Sequence, residues 1–245
     1  MQKSKTRIFV DKALSVNQMI YLKEKQYHFL KNVLRLKIDD LILTFDNKTG
    51  EWLSKVISIN RNNIIIKILE KKRDFRDEPD IWLFFALIKQ HRLNITIQKA
   101  TELGVSKIIP LITEYTNYSN LNFKNMVLNT IEASEQSERL SIPVIDKKIN
   151  LNDLINQHPK DRCILFCNER LSPKISIYES IRAKKKFFSK WSILIGPEGG
   201  FSELEIEKII KMDNCLPISL GRRILRSDTA AVASIFCLQS IIDTD

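Results

Sequence analysis

From Ile81 onward the chain alternates short apolar runs with stretches of helical periodicity, and that alternation leaves few folds open. Apolar strands separated by helices are the pattern of a parallel sheet covered by helices, an α/β domain. Ile81 to Ile88 reads as a strand, and Arg92 to Leu103 as a helix with Leu93, Ile97 and Ala100 on one face, stopped by Gly104. Ile108 to Ile112 follows as a strand, Phe123 to Arg139 as a helix, and Cys163 to Cys167 and Ser192 to Ile195 as buried strands. A glycine loop leads into a helix over Glu203 to Met212. Leu216 to Leu220 is the last strand, and a second loop precedes a closing helix over Thr229 to Ile242.

The part before this has a different texture. Arg7 to Val10, Leu41 to Phe45, Glu51 to Ile59 and Ile64 to Leu69 read as strands, with a helical stretch over Glu24 to Leu36 and tight turns at Asp46–Gly50 and Arg61–Asn63. Short strands joined by turns suggest a small barrel. The charged, aperiodic segment Glu70 to Asp80 separates the two patterns, so the expected domains are 1–72 and 73–245. Charge divides the same way. Residues 1–72 hold 15 basic and 7 acidic side chains, whereas residues 73–245 hold 24 and 22. The chain's net charge of +10 therefore sits mostly in the barrel, as expected of a module that docks on a polyanion.

Other classes are disfavoured. Cys163, Cys167, Cys215 and Cys237 form no CxxC pair, and three lie in apolar runs, which points to reduced thiols and a cytosolic protein. His28, His91 and His158 are too scattered for a metal site, and none is expected. No window approaches the length of a membrane span or a signal peptide.

Two loops carry the chemistry. Ile193-Leu194-Ile195-Gly196-Pro197-Glu198-Gly199-Gly200-Phe201-Ser202 runs from a buried strand through three glycines to a capping box made by Ser202 and Glu205. It fits neither the dinucleotide fingerprint nor the phosphate loop. A glycine-rich turn at the carboxyl end of an α/β strand is nonetheless where ligands bind. The second loop repeats the arrangement: Ile218-Ser219-Leu220-Gly221-Arg222-Arg223-Ile224-Leu225-Arg226-Ser227-Asp228-Thr229-Ala230-Ala231, with Ser227 or Asp228 as the expected cap of the last helix. Ile224 and Leu225 would suit the flat face of an adenine, and Arg226 an anion or a developing negative charge. Arg222 and Arg223 have the plainer alternative of pairing with surface carboxylates.

GPEGGFS together with SLGRRILRSDTAA resembles the two signature segments of the ribosomal RNA uridine-N3 methyltransferases of the SPOUT class. Three further segments agree: QKATELGVSKIIPL at 98–111, EASEQSERLSIPVI at 132–145, and His28 with Val33-Leu34-Arg35. The chain departs from the pattern at Lys89-Gln90-His91, where the family shows Lys-Gly-Asp, at Ser137-Glu138, where a small residue precedes Gly, and at Asp228, where Glu is commoner. The resemblance implies a PUA-like barrel, a C-terminal α/β domain with a deep trefoil knot, and a homodimer. It also implies S-adenosyl-L-methionine as cofactor and methylation of N3 of a uridine in bacterial 16S ribosomal RNA.

By the same resemblance, cofactor contacts, mainly from backbone and apolar atoms, fall to Leu194, Ile195, Gly196, Gly200, Leu220, Gly221, Ile224 and Leu225, with Phe166 on a neighbouring strand end, and RNA contacts to Arg7, His28, Arg35, Gln136 and Arg139. Arg226 is the expected catalytic cation and Glu198 the candidate proton acceptor, although a hydrogen bond from Glu198 to loop amides is the simpler expectation. Glu135 is expected to orient Arg139 or another basic neighbour. Two rivals stand beside this: a non-catalytic RNA-binding protein of ribosome assembly, and a SPOUT enzyme acting on a ribose hydroxyl or a transfer RNA base.

Overall fold

A computed structural model describes residues 4–118, 120–168 and 176–242. The chain divides into two compact units, one ending at Asp77 and taking in Ser134–Ile142, the other comprising Glu78–Ala133 with the rest of the chain from Pro143.

The first unit contains β1 (Arg7–Phe9), β2 (Met19–Lys23), α1 (Glu24–His28), β3 (Leu41–Phe45), β4 (Glu51–Ile59) and β5 (Asn63–Arg73). They form one sheet in the order β1-β3-β4-β5-β2. Only β1 and β3 pair in parallel; the other neighbours are antiparallel. Strict alternation of buried and outward residues along β2 and β5 puts Ile20, Leu22, Ile64, Ile66 and Ile68 on one face, where they meet Ile8, Leu30, Ile42 and Val56. Three register shifts between β4 and β5 curl the sheet.

Sequence reading missed β2, and it expected one helix where the structure has two geometries. α1 stops at His28, and Phe29–Val33 forms a π-helical turn, with the Leu34 amide donating to the Phe29 carbonyl. Arg35 then takes the left-handed conformation at φ +52°. β5 also continues to Arg73, past the boundary expected at 72.

The second unit contains β6 (Ile81–Ala86), α2 (Gln90–Glu102), β7 (Lys107–Ile112), most of α3 (Phe123–Gln136), β8 (Val144–Ile145), β9 (Ile149–Asn150) and α4 (Leu151–Gln157). It continues with β10 (Arg162–Cys167), α5 (Ile177–Lys185), β11 (Lys190–Ile195), α6 (Glu203–Ile210), β12 (Cys215–Ile218) and α7 (Ser227–Ile242). The sheet is parallel throughout, in the order β12-β10-β11-β6-β7-β8, with β9 also on β7.

Because both faces are covered, its strands are apolar nearly throughout. Leu83, Leu165 and Ile193 pack with Leu93 and Ile97 of α2, Ile181 of α5 and Ile235 and Leu238 of α7. Their alternates Phe84, Phe166 and Leu194 pack with Leu151 and Leu154 of α4 and Ile209 of α6. α4, α5, β8 and β9 were not anticipated. For α5 the signal was present, since Ser176 and Glu179 form a full capping box ahead of Ile177 and Ile181.

Candidate active site

β12, β10 and β11 are adjacent, and the register aligns their ends: Cys167 lies beside Ile195 on one side and Ile218 on the other. The chain therefore leaves all three strands at one edge of the sheet, through Asn168, Gly196 and Ser219. This carboxyl-terminal edge is where open parallel sheets bind ligands.

In the first loop, the Gly200 amide donates to the Pro197 carbonyl at 2.9 Å, closing a turn over Glu198 and Gly199. The expected capping box is present: Ser202 Oγ accepts from the Glu205 amide, and Glu205 Oε2 accepts from the Ser202 amide at 3.0 Å. Gly196 is required by close approach, because a Cβ there would lie 2.7 Å from Cε2 of Phe201. That ring packs edge-on against Phe166, with centroids 5.2 Å apart. The missing side chain of Gly196 is thus filled from within the loop.

Gly221, in the second loop, differs. Its φ of +110° favours glycine, and nothing lies within 4 Å of where a Cβ would stand, so its main chain borders open space. Gly200 also has positive φ. Ser219 Oγ accepts from the Gly221 amide at 3.3 Å.

Beyond Gly221, Arg222, Arg223, Ile224 and Arg226 are exposed, Ile224 at 82%. None of the three arginines forms an ion pair among the described residues, so the alternative of carboxylate partners for Arg222 and Arg223 finds no support there. Glu198 is likewise exposed, and its carboxylate accepts no hydrogen bond from the described loop amides. The last helix starts at Ser227, one or two residues before either expected cap would place it, with the Arg226 carbonyl accepting from the Ala230 amide at 2.8 Å. Asp228 instead faces Arg92 of α2 at 3.7 Å, a pair that sequence reading did not identify.

Phe166, Leu194 and Ile195 have side chains sealed in the two cores, so only their main chain is available to a ligand. Leu220 and Leu225 are half-buried.

In the first unit, Arg7 is only 8% exposed and stands over the Phe45 ring, 3.6 Å from its centroid. Its Nε donates to Glu51 at 2.5 Å, and its two terminal nitrogens donate to the carbonyls of Ser134 and Arg139. Burial lowers the Arg7 pKa against the opposing pull of Glu51. Burial would raise Glu51, but its bonds to Arg73 and Arg7 outweigh it and hold the carboxyl below its ordinary value.

Arg139 is buried too and donates to Ser141 Oγ. Arg7 and Arg139 are therefore structural: they hold the 134–142 segment on the barrel, and neither is open to RNA. Glu135 shares that work, accepting from the Phe9 amide at 2.9 Å. His28, Arg35 and Gln136 are exposed. Among the described residues no cluster of three His, Cys, Asp or Glu could hold a metal, and no helix is long and apolar enough to cross a membrane.

Comparison with known proteins bears on both units. Residues 76–239 match the RNA methyltransferase domain family, and residues 22–69 match the RNA methyltransferase PUA domain. A ribosomal RNA small subunit methyltransferase E from Rickettsia conorii is 36% identical over 94% of this chain and 93% of its own length. One from Buchnera aphidicola of Schizaphis graminum is 35% identical over 98% and 97%. A solved ribosomal RNA small subunit methyltransferase E from Neisseria gonorrhoeae, bound to S-adenosyl methionine, superposes with a TM-score of 0.87 at 25% identity, covering 98% of this chain and 99% of that one. A methyltransferase of Legionella pneumophila with bound SAM gives 0.86 at 26% identity, covering 97% and 98%.

Proposed function

The chain belongs to the ribosomal RNA small subunit methyltransferase E family, and from that premise we propose that it methylates N3 of one uridine in bacterial 16S ribosomal RNA. At the coarser level it is an S-adenosylmethionine-dependent ribosomal RNA methyltransferase, with a PUA-like unit and an α/β unit. The observation that carries the reading in this chain is the alignment of three strand ends with a glycine, Gly221, whose main chain borders open space. That space fits a cofactor held largely by backbone at Gly196, Gly200, Leu220 and Gly221, with Ile224 and Leu225 against its adenine.

When bound, S-adenosylmethionine supplies an electrophilic methyl group. The work left to the protein is orientation and the handling of charge. Uracil N3 carries a proton at neutral pH and is a poor nucleophile until that proton leaves. Arg226, exposed and without a carboxylate partner among the described residues, is assigned to the uracil oxygens, where its charge stabilises the anion as it forms. Glu198, whose carboxylate is free of loop amides, is assigned to take the N3 proton. His28, Arg35 and Gln136 are assigned to RNA, and the target base must be unstacked to be reached. The trefoil knot and the homodimer implied by the resemblance, and the cytoplasmic location expected from the cysteines, belong to the same proposal.

Calorimetry with S-adenosylmethionine tests the pocket, with Gly221→Ala as the loop variant: its new methyl group meets no protein atom, but the φ of +110° strains it, so it perturbs the loop's main chain as well as the space beside it. Saturable binding to the parent, weakened at least tenfold in a folded Gly221→Ala, is the expected result. No binding to the folded parent would favour a non-catalytic RNA-binding protein. Mass spectrometry of methylated 16S RNA then tests the target: a methyl group on ribose, or on any base position other than uridine N3, overturns the finer claim.

A further inference from the structure

We propose that the outer face of α5 and the turn that follows form a second docking surface for the substrate RNA, one that grips single-stranded chain outside the methyl-transfer site. The proposal rests on the RNA substrate put forward above.

Tyr178, Arg182 and Lys186 are spaced four residues apart and share one stripe of the helix, while the neighbouring Ile181 turns into the core. The Arg182 guanidinium stands 6.0 Å from the centroid of the Tyr178 ring. Phe187 follows at the end of the stripe and is 80% exposed; Tyr178 is 52% exposed. Two open aromatic rings thus flank two cations. Neither Arg182 nor Lys186 has a carboxylate partner among the described residues, and the one acid of the helix, Glu179, is occupied in the capping box with Ser176.

Residues 176–190 hold five cations and one carboxylate, in a part of the chain whose charges otherwise nearly balance. Cations in the last turn also complement the helix dipole, which accounts for some of them. The dipole gives no reason for an open phenylalanine. A membrane surface would call for a continuous apolar face, whereas the exposed apolar side chains here are two separate aromatic rings. Aromatic planes interleaved with cations suit single-stranded nucleic acid, in which bases stack and phosphates pair.

α5 connects the carboxyl end of β10 to the amino end of β11, so its stripe leads away from the strand ends that carry the methyl-transfer loops. The surface therefore contributes to RNA affinity and KM, and leaves kcat unchanged.

The test uses the full-length protein and a fluorescein-labelled single-stranded oligoribonucleotide, titrated by anisotropy over a salt series, with calorimetry for S-adenosylmethionine on every variant. Arg182→Gln with Lys186→Gln should flatten the slope of log affinity against log salt by about 1.4, at about 0.7 per phosphate contact on a single strand. Phe187→Ala should weaken binding about tenfold and Phe187→Trp should restore it. All variants should bind cofactor as the parent does.

The surface is overturned if RNA affinity and salt slope are the same in all variants, if only the unfolding midpoint moves, or if the parent prefers phosphatidylglycerol vesicles to RNA. A parent that binds RNA through these residues but takes no S-adenosylmethionine would sink the methyltransferase reading and leave the surface standing.

Discussion

Replacing His158 by Gln should make the protein less sensitive to mild acid, and the size of the effect follows from how the ring is held. His158 is 9% exposed, at the end of α4, with its ring 5.9 Å from that of Phe84. Asn214 Nδ2 also donates to the carbonyls of Pro159 and Arg162, so it is the amide nitrogen that faces His158 Nδ1 at 3.1 Å. Nε2 lies within hydrogen-bond distance of Ser192 Oγ, at 2.9 Å. The Arg162 guanidinium is nearby, while the Pro159 carbonyl and the Asp161 carboxylate favour the protonated ring and are outweighed. Burial first, and Arg162 second, push the pKa down from 6.5 to about 4.

A base with a depressed folded pKa contributes stability above its unfolded value, and that stability is lost as pH falls from 6.5 towards 4, because the unfolded chain takes up the proton first. Between about pH 7.5 and about pH 5 the loss from this one ring is roughly 2 kcal/mol. Urea unfolding of parent and His158→Gln at both pH values measures it, since contributions common to both chains cancel. If the two lose the same stability on acidification, the ring is not held neutral and the reasoning fails.

Glu51→Gln should lower stability by about 3 kcal/mol, read as an unfolding midpoint, because it leaves the buried Arg7 guanidinium without its counter-charge. An exposed pair would lose far less. Glu138 sits at φ +60° where the family pattern has glycine, and its carboxylate is 3.9 Å from Arg73 on the surface. Glu138→Gly should therefore raise stability by about 1 kcal/mol in thermal unfolding, and a loss of that size would show that the ion pair outweighs the strain. Arg226→Ala should abolish methyl transfer to 16S RNA while calorimetry finds cofactor affinity within a few fold of the parent. Loss of cofactor binding would move Arg226 from the uracil to the cofactor.

Local patterns were legible in the sequence because each is settled by residues close together in the chain. The strands Leu41–Phe45 and Glu51–Ile59 fall where β-branched and apolar residues alternate between turn residues, and the Ser202–Glu205 box marks the start of α6. The two glycine loops were visible as motifs for the same reason.

What a charged or polar side chain does was not legible, since that depends on what the fold brings against it. Arg7 looked like a surface cation in a basic module, yet residues 127 and 132 positions away supply the carbonyls that bury it. Phe166 and Leu194 were expected at the cofactor mainly through backbone and apolar atoms, and strands covered on both sides seal their side chains into the core, which leaves the main chain. The two glycine loops, alike in sequence, differ in the fold: the space at Gly196 is filled by Phe201, and the space at Gly221 is left clear. The sequence by itself determined the two textures, most of the elements and the positions of the loops, because propensity and periodicity act over a few residues. The strand order that sets three loops side by side, and the burial that makes one arginine a staple and leaves another exposed, were decided only by tertiary contacts.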